Sequence, residues 1–126
     1  MRDALASPDA PAAIGPYSQA VRVGDLVMLS GQTPIDPRTG KLLEGGIAEQ
    51  TAQVFRNLAA VLAAAGLGFE HVQKCNVYLT DMADFAAMNA VYSGIFTAPF
   101  PARTTVAVAA LPMGASVEIE LMARAD

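Results

Sequence analysis

Arg103 opens a strand-like segment just after Pro99 and Pro101, among apolar residues. Its guanidinium is a planar fork of donors that can hold a carboxylate through two hydrogen bonds. The ordinary alternative is an edge arginine that caps a sheet or pairs with a neighbouring subunit. Glu118 and Glu120 stand two apart in Val117-Glu118-Ile119-Glu120, so a strand places them on one face. A carboxylate there, close to an arginine, could order a water molecule or move a proton. The alternative is a solvent-facing pair. Nothing in the spacing gives the register between the two segments, so the closeness of Arg103 and Glu118 stays open.

Other polar candidates sit in two further segments. Ile14-Gly15-Pro16-Tyr17-Ser18-Gln19 leads through a hairpin to Ser30-Gly31-Gln32. Tyr17 follows a proline, which favours extended backbone before it, and could close a pocket or simply half-bury at a sheet edge. Asn89 lies beside Met88 in a helical segment, where a plain surface asparagine is the alternative. His71 is the only histidine and stands apart from the other candidates, as a surface histidine would. No His/Cys/Asp cluster has metal-ligand spacing, no glycine loop suits phosphate, and no Ser-His-Asp set can be assembled.

These residues need a scaffold, and the chain's periodicity describes one. Residues 1–16 hold Pro8, Pro11 and Pro16 and read as extended. Residues 18–23 alternate, Gly24-Asp25 makes a two-residue turn, and Leu26 to Ser30 return as a second strand. Asp36-Pro37-Arg38-Thr39-Gly40 is a turn. Ile47, Thr51, Val54, Leu58, Val61, Leu62 and Ala65 mark one helix face, with Gly66 as its stop. Residues 72–79 change to period two. Asp81 is a helix cap, and Phe85, Met88, Tyr92 and Ile95 mark a second helix. Residues 103–108 alternate, 111–114 turn, and Val117, Ile119, Leu121 and Ala123 share the apolar face of a last strand. The order β-β-α-β-α-β-β predicts an α+β sheet with both helices on one side. The other side is not strongly polar. Ala107 and Met122 are expected on it, together with Thr105 and Arg103, and oligomer contacts are expected to cover it.

Composition narrows the partners. The 126 residues suit a single domain spanning 1–126. An apolar share of 53% against 16% charged exceeds what a lone soluble domain needs and points to a buried subunit interface, unless the many alanines inflate it. Eight basic and twelve acidic residues leave a net charge of −4, a poor balance for binding nucleic acid. No apolar run approaches transmembrane length, the first residues do not read as a signal peptide, and the single Cys75 allows no internal disulfide. A cytoplasmic protein is the simple expectation.

Four motifs in order make the chain recognisable. Ala10-Pro11-Ala12-Ala13-Ile14-Gly15-Pro16-Tyr17-Ser18-Gln19-Ala20, Ser30-Gly31-Gln32-Thr33-Pro34, residues 76–82 with Asn89-Ala90-Val91-Tyr92, and Pro101-Ala102-Arg103 with Val117-Glu118-Ile119-Glu120 resemble the YjgF/YER057c/UK114 (Rid) family. The similarity runs from about residue 10 to 123. It implies a chorismate-mutase-like fold, a homotrimer with active sites between subunits, and no cofactor or metal. It also implies hydrolysis of reactive imines or enamines, such as 2-iminobutanoate and 2-iminopropanoate, to 2-keto acids and ammonia. By the same resemblance, Arg103 matches the arginine that holds the substrate carboxylate. Glu118 matches the carboxylate that positions water. Tyr17, Ser30, Gly31 and Asn89 match pocket residues. Close relatives often have cysteine where this chain has Thr105, a position expected to act mainly through its backbone. Other activities attached to the resemblance are an endoribonuclease, a non-catalytic trimer that binds small carboxylates, and a specialised deaminase acting on a substrate such as 2-aminomuconate.

Overall fold

The computed structural model describes residues 1–125. Its strands are β1 (Asp3–Leu5), β2 (Ala20–Val23), β3 (Leu26–Gln32), β4 (Ile35–Asp36), β5 (Lys41–Leu42), β6 (Val72–Leu79), β7 (Ala102–Ala107) and β8 (Val117–Arg124). The helices are α1 (Ile47–Ala64) and α2 (Phe85–Ile95). Six strands form one mixed sheet in the order β1-β2-β3-β8-β6-β7. Only β6 and β7 run parallel. The α+β class and the β-β-α-β-α-β-β order hold as expected.

The structure adds two features. Part of the extended N-terminal segment pairs with β2 as β1. The turn at 36–40 is flanked by the short β4–β5 ribbon. The N-terminal segment is tied down by Gln19. Its amide oxygen accepts from the Ser7 N–H at 2.6 Å, and its NH₂ donates to the Pro11 carbonyl at 2.9 Å.

Helix α1 buries Val54, Phe55, Leu58, Val61 and Leu62 at three- and four-residue steps, as its periodicity requires. It stops at Gly66, which takes φ +73°. The Gly66 and Leu67 N–H groups close the last turn on the Ala63 and Leu62 carbonyls, a Schellman arrangement that suits glycine. Asn57 on the same helix is buried, and its amide donates to the Thr33 and Ile35 carbonyls at 3.2 and 2.9 Å. These bonds moor the segment that leaves β3.

The core lies between the helices and one sheet face. Cys75, Val77 and Leu79 of β6 and Val117, Ile119, Leu121 and Ala123 of β8 are buried there. Phe55, Phe69, Tyr92 and Phe96 add an aromatic cluster with paired centroids 4.9–5.9 Å apart, edge-on except for the tilted Tyr92–Phe96 pair. The opposite face carries Lys74, Asn76 and Tyr78 of β6, Thr104 and Val106 of β7, and Glu118, Glu120 and Met122 of β8.

One face assignment is corrected. Arg103, Thr105 and Ala107 pair in register with Cys75, Val77 and Leu79, which face the helices. They therefore lie on the helix side, and only Met122 of the expected group lies on the open side. Alternation alone groups residues that share a face; the pairing partner decides which face it is.

Candidate active site

Arg103 emerges from edge strand β7 against helix α2. Phe85, Asn89 and Tyr92, spaced four and three residues apart, form a stripe on that helix. The Arg103 Nη1 donates to Asn89 Oδ1 at 2.7 Å. Its guanidinium carbon stands 4.6 Å from the Tyr92 ring centroid and 5.5 Å from that of Phe85. No carboxylate among the described residues lies within ion-pair distance of it. Asn89, Tyr92, Ser93, Phe100, Pro101 and Arg103 line an open cleft. A cation in a cleft without a counter-ion attracts an anion, and a guanidinium prefers a planar one.

Thr105 lies two residues further along the same face, opposite Val77. Its hydroxyl is buried with no partner among the described residues. Because β7 is an edge strand, one row of its backbone N–H and C=O groups has no sheet partner.

Glu118 sits on the other face of the sheet, opposite Tyr78 of β6. Burial, and then the nearby Glu120 charge, hold its carboxyl above the usual glutamate range. Glu120 accepts a hydrogen bond from the Tyr78 hydroxyl. That bond, with some burial, pushes the Tyr78 phenol up to about 12.

The Glu118 carboxylate lies over the bare backbone of Gly31. A Cβ at that position would meet it, so the carboxylate keeps this place only over a glycine. The irregular β3–β8 pairing between Leu29 and Gln32 makes this approach possible, since a bulge lets the ladder skip there. Beside it, the Ser30 hydroxyl donates to the Ser18 carbonyl at 2.7 Å and the Ser30 N–H to the Gln19 carbonyl at 2.9 Å. A second cleft is lined by Ile14, Tyr17, Gly31, Gln32 and Met113, with Tyr17 half-exposed at its rim.

The candidates thus fall into two groups. Arg103, Asn89 and Thr105 stand on the helix side. Glu118, Gly31, Ser30 and Tyr17 stand at the far side and the β3 end, with β6 between β7 and β8. His71 joins neither group; its Nδ1 accepts from the Gly68 N–H at 3.0 Å. In the sequence Phe85 and Tyr92 read as markers of the second helix, Phe100 as the start of the segment that holds Arg103, and Met113 as part of a turn; none of the four is assigned a role of its own there. The spacing of Phe85, Asn89 and Tyr92 is the signal that could have found the aromatic members. No group of His, Cys, Asp and Glu among the described residues could hold a metal ion.

A mixed sheet backed by two helices, with Arg103 in a cleft on the helix side and the half-buried Glu118 on the opposite face, defines a small α+β domain. Comparison with known proteins makes the assignment specific: the chain matches the endoribonuclease L-PSP family over residues 7–125 and belongs to that family, the YjgF/Rid group. It is 52% identical over 124 residues to protein DfrA of Myxococcus xanthus, covering 97% of this chain and 95% of that one. The 2-iminobutanoate/2-iminopropanoate deaminase of Mus musculus is 46% identical over 123 residues, 98% of this chain and 91% of its own. Among solved structures, RidA from an Antarctic Psychrobacter superposes with a TM-score of 0.93 at 48% identity, covering 97% and 98% of the two chains. The yjgF gene product of E. coli superposes with a TM-score of 0.92 at 42% identity and the same coverage.

Proposed function

We propose that this protein is a hydrolase of reactive 2-imino acids, releasing 2-keto acids and ammonia, with 2-iminobutanoate and 2-iminopropanoate as substrates. The observation that carries the reading is the Arg103 guanidinium, held in a cleft with an amide and aromatic rings and no counter-ion among the described residues. A 2-imino acid supplies the missing carboxylate one carbon from the reacting centre.

The two groups of residues lie on opposite faces, so one chain does not bring them to the same substrate. The reading therefore takes its active site between copies of a homotrimer. One copy supplies Arg103, Asn89 and the free edge of β7 near Thr105. The next supplies Glu118, Gly31, Ser30 and Tyr17. In this arrangement the substrate carboxylate pairs with Arg103, and Glu118 holds a water molecule against the imine carbon. Water adds to the C=N carbon as Glu118 takes its proton. That proton passes to nitrogen to give the carbinolamine; its hydroxyl proton then follows to nitrogen through Glu118 as the C=O bond forms, the C–N bond breaks and ammonia leaves. A carboxyl held above its ordinary range suits this exchange better than a fully solvated one. Orientation and proton transfer together supply a gain of about 10²-fold or more. No cofactor or metal enters the scheme.

The family's description as an endoribonuclease favours RNA as a second substrate class. Against it stands the net charge of −4, since phosphate neutralisation dominates affinity for nucleic acids.

The test couples a threonine dehydratase to semicarbazide trapping of the released imine. The wild-type protein should suppress semicarbazone formation and Arg103→Ala should not. Unchanged trapping with both serine and threonine as dehydratase substrates would exclude general imine deamination.

A further inference from the structure

An arginine that is to receive a carboxylate faces a conflict. Left free, its long side chain samples many rotamers, and ordering it on binding weakens affinity. Held by a carboxylate of its own protein, it is ordered, but its donors are occupied and its charge is neutralised. Arg103 has neither arrangement. One donor reaches Asn89, and the guanidinium carbon lies over two aromatic rings of α2.

Aromatic faces are the one kind of support that leaves the donors free. The ring quadrupole attracts a cation through its π face, while the N–H groups point outward in the guanidinium plane. The support attracts the positive charge and occupies no hydrogen-bonding edge.

The nearer ring is also fixed from behind. Tyr92 is only 6% exposed and packs on Phe55 of α1 at 5.9 Å and on Phe96 at 4.9 Å. Its hydroxyl is buried beside the Cys75 thiol and makes no contact with Arg103 that would replace the ring. What the site uses is the ring.

We infer that Tyr92, assisted by Phe85, is a positioning residue for Arg103: a core-anchored aromatic platform that presets the guanidinium for a carboxylate ligand. The inference rests on the reading of Arg103 as the carboxylate anchor.

The experiment titrates the wild type and four variants with 2-oxobutanoate, the keto-acid product, by NMR, and measures KM and kcat for imine hydrolysis alongside. Tyr92→Leu removes the ring and should weaken 2-oxobutanoate binding and raise KM about 10-fold. Its kcat should move less, because the platform acts on the carboxylate and not on the imine carbon. Tyr92→Phe keeps the ring and should restore the affinity lost in Tyr92→Leu. Phe85→Leu removes the more distant ring and should weaken binding about threefold. It also carries the test if Tyr92→Leu does not fold. Arg103→Ala separates the two ideas. If Arg103→Ala binds 2-oxobutanoate as the wild type does, the anchor reading falls and the platform with it. If Arg103→Ala loses binding while the ring-deleted variants keep wild-type affinity and KM, the platform alone is overturned.

Discussion

Arg103 and Glu118 belong to the same sheet yet face opposite sides of it, with strand β6 between their own strands. Arg103 shares its face with Cys75, and Glu118 shares its face with Tyr78. On the proposed reading, chemistry that uses both draws on two copies of the chain.

A side chain at Gly31 should displace Glu118. A Cβ there meets the Glu118 carboxylate, which must swing aside, at a small cost in stability because its far end is free to move. Gly31→Ala should lose at least about tenfold in kcat, because the carboxylate that shifts is the one assigned to water. Thermal melting and steady-state kinetics on the same preparation check both effects. A Gly31→Ala protein with wild-type kcat would remove Glu118 from the reaction.

Glu118 should carry a pH signature. Burial raises its folded pKa above the unfolded one, so the folded state favours the neutral acid. The stability this contributes is fully present below the unfolded pKa and is lost as pH rises through the folded pKa. Glu118→Gln should therefore melt higher than the wild type at pH 7, on the order of 1–3 °C, since the group is partly solvated. That advantage should vanish below the ordinary glutamate range. Activity should show the opposite sign and fall as pH drops through the raised pKa, because the water-holding form is the carboxylate. Melting scans and a kcat/KM profile across acid pH read the two trends.

Cys75 should be inert in the folded protein. It is fully buried, and burial pushes its thiol up to about 11. At pH 8 the thiolate fraction is then about one part in 10³, and the sulfur has no path to solvent. Iodoacetamide labelling followed by mass spectrometry should be at least about 100-fold slower in buffer than in urea. Equal rates would mean that the β6 core opens readily.

Much of this fold is legible in its residues, for stated reasons. Helix α1 announces itself through the Val54, Leu58, Val61 and Leu62 spacing and ends where Gly66 allows it. Strand β6 has the bounds its alternation implies, residues 72–79, because a single period shift at Val72 and a capping aspartate at Asp81 frame it. The bulge that brings Gly31 under Glu118 was not legible. It depends on register between β3 and β8, strands separated by most of the chain. The same limit misplaced Arg103 and Thr105, since which face β7 turns to the helices is set by its parallel pairing with β6. Tyr92 was legible as core and illegible as site, because one ring serves both: it packs on Phe55 and supports Arg103.

The account's central claim is a deaminase centre built from two copies, and subunit complementation tests it most directly. Arg103→Ala and Glu118→Gln are each purified and assayed, then co-expressed with separate tags so that mixed assemblies can be isolated. Each variant alone should fall about 100-fold or more in imine hydrolysis. In an isolated mixed trimer, one of the three interfaces pairs an intact Arg103 with an intact Glu118 of the next copy, so activity should recover to about a third of the wild-type value. Mixed assemblies that stay as inactive as either parent would contradict the shared site.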